Sequence, residues 1–283
     1  MGKEVRVNCI GPVGEKLSLF SCIINDKGRA AGRSGLGAVM GSKRLKAVAV
    51  MGKREVAIFN REELAKVSEK YLGGEMPMVV GMFKQFGTAG IVAMSAHGGD
   101  SPVKNWGGVG TLDFPNAAAI SDQNVLNLVE DKYGCWECPI SCGATMRAGK
   151  EYQYEAGSHR PEYETLCAFG TLCLNDDLES IVKASDICNR YGLDTISTGS
   201  LVAFAIECYE NGLITEKDTG GIELSWGDGK SIVALTEKIA EREGFGAVLA
   251  DGVKRAAERI CKGADKYAFH VGGQELPMHD PRN

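Results

Sequence analysis

The run Cys135-Trp136-Glu137-Cys138-Pro139-Ile140-Ser141-Cys142 restricts this chain more than any other stretch, because it sets three thiols at C-x2-C-x3-C between Gly134 and Gly143. A gap of two residues lets consecutive thiolates turn toward one centre, as metal clusters require. The x3 gap and the missing fourth cysteine argue against a closed structural zinc site, which usually shows matched pairs. A pair plus one, with other cysteines far downstream, suits an iron–sulfur cluster whose last ligand comes from elsewhere. The spacing therefore predicts Cys135, Cys138 and Cys142 as ligands of a [4Fe–4S] cluster. The alternative is three buried thiols without a metal.

Ten cysteines at irregular spacings, with no apolar leader at the N-terminus, indicate a reducing compartment, the cytoplasm, rather than a disulfide frame. Lys and Arg number 32 against 37 Asp and Glu, a net charge of −5, so neither nucleic acid nor an acidic membrane surface is expected as a partner. No run approaches the ~18 consecutive apolar residues of a membrane span. At 283 residues and 44% hydrophobic, the chain can bury a large core and hold more than one domain. It opens on a strand-like run and stops at His279-Asp280-Pro281-Arg282-Asn283, which predicts a piece of a longer protein.

Residues 4–10 alternate polar and apolar side chains, a strand period, and 11–14 (Gly-Pro-Val-Gly) form a turn. Apolar runs at 17–24 and 45–51 predict two more strands. After residue 55 the period becomes helical. Asn60 and Glu63 have capping-box spacing ahead of a helix at 64–72, and 77–94 divides into two short helices. Further helices are predicted at 121–133, 178–191, 196–211, 229–243 and 246–262, with a strand at 267–271. The fold class is mainly α with a small N-terminal β portion. In Val103-Lys104-Asn105-Trp106 a cation, an amide and an indole sit together, and the indole is expected to anchor the loop.

Between the second and third strands, residues 25–44 read as a loop with five glycines and five cations: Lys27, Arg29, Arg33, Lys43 and Arg44. Glycines let backbone N–H groups approach an oxyanion, and the cations supply counter-charge, so a phosphorylated cofactor is plausible here. The alternative is a basic surface loop. Gly35-x-Gly37-x-x-x-Gly41 has one residue too many for a dinucleotide fingerprint, and no G-K-[ST] closes a Walker loop.

Glu162 and Glu164 follow Pro161 at the start of an apolar stretch. Carboxylates are favoured at a helix start. The functional alternative makes one of them a general acid or base in an apolar setting. Gly192-Leu193-Asp194 makes a helix–helix corner that would point free N–H groups at one spot, or is simply a turn.

In this order, five segments resemble the tungsten-containing aldehyde:ferredoxin oxidoreductase family. They are Arg29–Lys43 (Arg-Ala-Ala-Gly-Arg-Ser-Gly-Leu-Gly-Ala-Val-Met-Gly-Ser-Lys), the cysteine run, Pro161-Glu162-Tyr163-Glu164-Thr165, Tyr191-Gly192-Leu193-Asp194, and Glu275-Leu276-Pro277-Met278-His279-Asp280-Pro281-Arg282. The resemblance implies aldehyde ferredoxin oxidoreductase-like helical domains. It assigns 1–55 to the C-terminal part of the β pterin-binding domain and 56–283 to the helical cofactor- and cluster-binding region, incomplete at its C-terminus. It further implies a tungsten (or molybdenum) bis-pterin contacted by Arg29, Arg33, Gly35, Gly37 and Ala38. The family's D-x-x-G-L-[CD] motif falls on Asn189, Gly192, Leu193 and Asp194, with Asn189 where the motif has Asp. Glu162 or Glu164 would be the carboxylate near the metal. The fourth cluster cysteine, a second G-L-[CD] motif and a histidine near the metal belong to a later region than residue 283.

The implied reaction is two-electron oxidation of a small aldehyde to its acid, with electrons leaving singly through the cluster to ferredoxin or another electron-carrier subunit. A fragment of this kind is expected to be inactive alone, and the resemblance leaves room for a homodimer. The runner-up is the tungsten subunit of an aryl-CoA reductase. Rivals of another class are a non-catalytic iron–sulfur electron-transfer module and a helical interaction protein with structural zinc. Both leave the Arg29–Lys43 segment without a role.

Overall fold

A computed structural model describes residues 5–26, 28–52 and 54–282. Glu4, at the start of the first expected strand, and the loop cation Lys27 lie outside the described residues.

The N-terminal portion is a four-stranded antiparallel sheet of order β3-β2-β1-β4, built from β1 (Arg6–Ile10), β2 (Ile23–Asn25), β3 (Arg29–Ala31) and β4 (Ala47–Val50). A single helical turn, α1 (Pro12–Glu15), follows β1 where a plain turn was expected. Proline suits it, because the first helical position needs no N–H donor. The strand expected at 17–24 shrinks to β2. Leu17 takes a positive φ of 59° and Leu17 and Leu19 are both 47% exposed, so residues 18–21 form a turn closed by Ser21 N–H donating to the Ser18 carbonyl at 3.1 Å. The glycine-rich stretch is more regular than a loop. It contains β3 and a short helix, α2 (Leu36–Ser42), which Gly35 enters at a φ of 68°.

Helices dominate the remainder. Asn60 caps α3 (Arg61–Glu69) as its spacing predicted, its side chain accepting from Glu63 N–H at 3.0 Å. A π-helical turn (Lys70–Glu75) then leads to α4 (Pro77–Phe86), a 3-10 turn (Gly87–Ile91) and α5 (Val92–Gly98). The run Pro77–Gly98 is long and apolar enough, by length and composition, to cross a membrane. Gly87, at a φ of 63°, breaks it into separate helices.

After α6 (Gly110–Asp113), the helix expected at 121–133 is only α7 (Asp122–Asn127). Its second half is instead β5 (Val129–Tyr133), which pairs antiparallel with β6 (Gly143–Met146) and through it with β7 (Ser158–His159). The partner that makes 129–133 a strand lies beyond the cysteine loop, out of reach of any local pattern. Tertiary pairing overrides local propensity here.

The core centres on α10 (Thr195–Glu210), apolar all round and buried from Leu201 to Ile206, as a helix wrapped by others must be. It packs on α8 (Tyr163–Phe169), where a Cβ on Gly199 would lie 2.6 Å from the Ala168 side chain. Asp177 caps α9 (Leu178–Tyr191), whose bounds match the expected 178–191, and α9 packs on α12 (Gly229–Glu241). Between α10 and α12 runs the short α11 (Glu216–Thr219). The helix expected at 246–262 is two, α13 (Phe245–Leu249) and α14 (Val253–Ile260), interrupted at Gly252, whose φ is 93°. Glu275 Oε1 accepts from Val253 N–H at 2.7 Å and so caps α14 from a distant segment. The strand expected at 267–271 is shorter: β8 (His270–Val271) pairs with β9 (Gln274–Glu275).

Sheet and helices meet at one seam. Cys22 N–H donates to the Gly192 carbonyl at 2.8 Å and Asp194 N–H to the Phe20 carbonyl at 3.0 Å. A Cβ on Gly11 would fall 1.9 Å from the Tyr191 carbonyl oxygen, so only glycine allows this approach.

Candidate cofactor site

A cavity of about 310 Å³ opens on the helical side of this seam. Arg29 and Arg33, from β3 and the turn after it, face Glu162 and Glu164 at the start of α8, with Asn189 and Asp194 of the α9–α10 corner behind. Seven residues expected at a site line it together: Arg29, Arg33, Glu162, Glu164, Asn189, Leu193 and Asp194. Four others expected to contact the pterin do not line it. Gly35 and Gly37 serve close packing, since a Cβ on either would approach the carbonyls of Leu19 (2.3 Å) or Cys22 (2.7 Å). Ala38 lies on α2. Gly192 ends α9 with a φ of 78° and faces Gly11. Nor are the N–H groups of the corner free. Ile196 and Ser197 donate theirs to Asp194, and those of Gly192 and Leu193 go to the Cys188 carbonyl.

The carboxylates sit at a helix start, as expected: Glu162 is the N-cap of α8 and Glu164 is in its first turn. The apolar setting is not what surrounds them. Glu162 Oε1 accepts from Arg29 Nη1 at 2.8 Å and Oε2 from Thr88 Oγ1 at 2.5 Å. Glu164 Oε2 accepts from Met278 N–H at 2.8 Å, while Oε1 faces His279 Nε2 at 3.8 Å. Among the described residues, Glu164 Oε1 is thus the carboxylate oxygen of this pair without a hydrogen bond.

Burial raises the Asp194 carboxyl to about 6, against the pull of Arg33, whose Nε lies 3.5 Å away. Burial pushes His159, also on the cavity wall, down to about 4, so its imidazole is neutral at pH 7. Burial alone would lower Arg29, but Glu162, Tyr133 and Cys142 together outweigh it and the net shift is upward.

The cysteine run forms the β5–β6 loop. Cys138 N–H donates to the Cys135 carbonyl at 3.1 Å, and Glu137 and Ser141 take positive φ angles of 55° and 52°. Cys135 is exposed, and Cys138 and Cys142 are half-buried. Among the described residues no three Cys, His, Asp or Glu side chains gather around a single ion, so the three thiols share a loop without closing on one metal ion. The donor chemistry around them suits thiolates. Backbone N–H groups of Ser141 and Ile140 hold the Cys138 thiol below its usual range, and Arg29 Nη2 lies 3.6 Å from Cys142 Sγ. Arg160, 1% exposed, donates to the Cys142 carbonyl.

Arg29 therefore joins the two halves: one guanidinium nitrogen on the cavity carboxylate, the other on a loop thiol, and its face 5.5 Å from the Tyr133 ring centroid. Arg29 Nε, Arg33 Nε and His159 Nε2 are buried with no hydrogen-bond partner among the described residues. Buried guanidinium nitrogens, one of them facing Asp194 at 3.5 Å, and an unpartnered imidazole nitrogen beside a cavity fit a polar occupant with anionic groups. Sequence patterns had given no role to Thr88, Tyr133, His159 or Arg160. The last three adjoin quoted motifs, at Gly134 and Pro161, so adjacency was the available signal. Thr88 carried none.

A family model described as aldehyde ferredoxin oxidoreductase, domains 2 and 3, matches residues 64–283, and the model of the family's N-terminal domain matches residues 1–52. The chain belongs to the aldehyde ferredoxin oxidoreductase family. It is 39% identical over 285 residues to the tungsten-containing aldehyde ferredoxin oxidoreductase of Pyrococcus furiosus, covering 99% of this chain and 46% of that one. Its identity to the enzyme of that name from Thermococcus kodakarensis is 36%, covering 99% and 45%. An aliphatic sulfonate oxidoreductase, WOR-like subunit, of Pyrococcus furiosus is 34% identical, again covering 99% and 45%. The chain thus spans somewhat less than half the length of these relatives. Among solved structures, the active site complex BamBC of benzoyl coenzyme A reductase with 1,5-dienoyl-CoA superposes with a TM-score of 0.76 at 24% identity, covering 98% of this chain and 43% of that one. That likeness bears on the fold: an aldehyde ferredoxin oxidoreductase-like arrangement, mainly α with a small N-terminal sheet.

Proposed function

We propose that this chain is the central part of a cytoplasmic tungsten-pterin oxidoreductase. It would oxidise small aldehydes to carboxylic acids and pass electrons through a [4Fe–4S] cluster to ferredoxin or another electron-carrier subunit. Residues 1–55 would belong to the pterin-binding β domain and 56–283 to the helical cofactor- and cluster-binding region. Tungsten stands in the names of relatives up to 39% identical. The free cysteines are consistent with a reducing compartment. The observation that carries the reading is the Glu162–Arg29–Cys142 bridge, which links a cavity with unsatisfied cationic donors to the cysteine loop.

When bound, a tungsten pterin supplies a two-electron acceptor and a cluster a one-electron exit. Arg29 and Arg33 would hold the anionic part of the pterin, and Asn189 and Asp194 its polar edge. Cys135, Cys138 and Cys142 would hold the cluster, with Arg160 fixing the Cys142 backbone. Both oxygens of Glu162 are engaged, so it orients Arg29. Glu164, with a free oxygen on the cavity, is the carboxylate placed to take a proton from the reacting water or aldehyde.

The 34% identity to a sulfonate oxidoreductase subunit favours a second substrate class, a small aliphatic sulfonate. Anaerobically purified full-length protein should contain about four iron atoms and about one tungsten per chain. Iron should fall on Cys138→Ala and tungsten on Arg33→Ala. Bleaching of its visible absorbance by an aldehyde, and not by an alkanesulfonate, supports the first reading. The reverse supports the second, and zinc without iron overturns both.

A further inference from the structure

Outside the bridge, Glu164 is met by a second group of polar residues drawn from three segments. His279 Nε2 lies 3.8 Å from Glu164 Oε1, and His279 Nδ1 lies 2.8 Å from Asp100 Oδ2. The Tyr163 ring stacks on His279 with centroids 4.6 Å apart and planes inclined by 22°. Ser95 Oγ donates to Asp100 Oδ2 at 2.5 Å and lies 2.6 Å from Tyr163 Oη, which in turn donates to the Met278 carbonyl at 2.7 Å. Asp280 N–H donates to the Asp100 carbonyl at 2.6 Å. Glu164, His279 and Asp100 side chains are 30%, 49% and 35% exposed, so the row runs from the cavity to the surface.

We propose that Glu164, His279 and Asp100 form a proton exit from the cavity, with His279 accepting through Nε2 the proton that Glu164 takes up. The proposal rests on the oxidoreductase reading above. Oxidation of an aldehyde and one water to a carboxylic acid releases two electrons and two protons. The electrons go to the bound redox groups and on to an external carrier. The protons must reach solvent for the next turnover. Glu164 takes a proton on the oxygen facing His279, transfers it to Nε2, and the exposed imidazolium releases it to water.

The Asp100 contact decides which nitrogen accepts. Burial opposes it, but the Ser95 and His279 hydrogen bonds hold the Asp100 carboxyl below the usual carboxylate range. An ionised carboxylate only accepts, so Nδ1 carries the hydrogen and the Nε2 lone pair faces Glu164. The 3.8 Å gap is longer than a hydrogen bond, the loose geometry usual before substrate binds. The groups facing His279 are Asp100, Glu164 and Tyr163. Nearby, Arg282 is taken up by Asp280 at 2.6 Å.

The test uses the full-length, metal-loaded protein with His279→Gln and Asp100→Asn. His279→Gln should lower kcat by ~10²–10⁴-fold, the range of positioned acid–base groups, with KM and tungsten and iron content unchanged. Added imidazole should restore part of the rate. In a single turnover with a pH-indicator dye, proton release should lag behind cofactor reduction in the variant and coincide with it in the parent. Asp100→Asn should show the same lag in milder form. A parent with no tungsten or no aldehyde oxidation overturns the oxidoreductase reading and the exit with it. An active parent whose His279→Gln variant keeps kcat and shows no lag overturns the exit alone. Loss of tungsten in both variants also overturns it, leaving His279 a structural support.

Discussion

Arg29 Nη1 lies 2.8 Å from Glu162 Oε1, with both side chains about a quarter exposed, and this one ion pair ties the N-terminal sheet to the N-cap of α8. Its partners differ in kind, since the other terminal nitrogen reaches Cys142 Sγ. The pair thus organises the cavity and the cysteine loop at once.

Arg29→Gln should destabilise the protein by about 1–3 kcal/mol, because it strands a half-buried carboxylate. Glu162→Gln should do similarly. The double variant should lose less than the sum, since each single change leaves the other charge unpaired. Chemical denaturation of the three variants measures the coupling; strict additivity would show that the pair is solvent-screened. Arg29→Lys should not restore the parent, as one ammonium cannot span Glu162 and Cys142 in the fixed fork of a guanidinium.

His159 and Asp194 make opposite contributions to stability in one pH range. The His159 pKa is depressed from 6.5 to about 4, so its contribution is present above 6.5 and is lost as pH falls through about 4. The Asp194 pKa is raised from 3.8 to about 6, so its contribution is present below 3.8 and is lost as pH rises through about 6. Each amounts to roughly 3 kcal/mol at most. In the parent the two slopes largely cancel between pH 4 and 6.5. Asp194→Asn should expose a steady loss of stability on acidification, and His159→Gln a gain. Urea midpoints across this range read it directly, and unchanged profiles in both variants would refute it.

Gly87 makes room for a charge. A Cβ there would sit 1.7 Å from Arg160 Nη2, and its φ of 63° already disfavours side chains. Gly87→Ala should therefore lower stability by about 2–4 kcal/mol. Adding Arg160→Ala should recover part of that loss, which separates the clash from the backbone strain. Thermal melts of the two singles and the double variant decide it.

Phe204 is fully buried at the centre of α10. Phe204→Ala should cost about 3–5 kcal/mol through lost burial and the cavity left behind. The fall in denaturation midpoint measures it, and a loss under 1 kcal/mol would mean that α10 is not the core helix.

Much of this architecture could be seen in the chain before folding. Asn60, Asp177, Asp194 and Asp228 each begin a helix where a short acceptor precedes an apolar period. Capping and amphipathic spacing act within a few residues, so local sequence contains them whole. The cysteine loop was legible for the same reason. What failed was set by distant partners. The 129–133 segment is a strand only because 143–146 returns beside it, and the 246–262 helix breaks where Glu275 caps Val253 from another segment.

The site divides along the same line. Sequence by itself determined which chemistries were present: thiols in a turn, cations among glycines, and a pair of carboxylates at a helix start. Only the tertiary structure decided what each one does with its neighbours. It spent Gly35, Gly37 and Gly192 on close packing, turned the N–H groups of the α9–α10 corner inward, and gave Glu162 to Arg29 while leaving a Glu164 oxygen open toward His279. The two glutamates are two residues apart at the start of one helix, so their local signals are nearly alike. Their difference comes from contacts 133 and 114 residues away in the chain, and contacts at that range exist only once the core has closed.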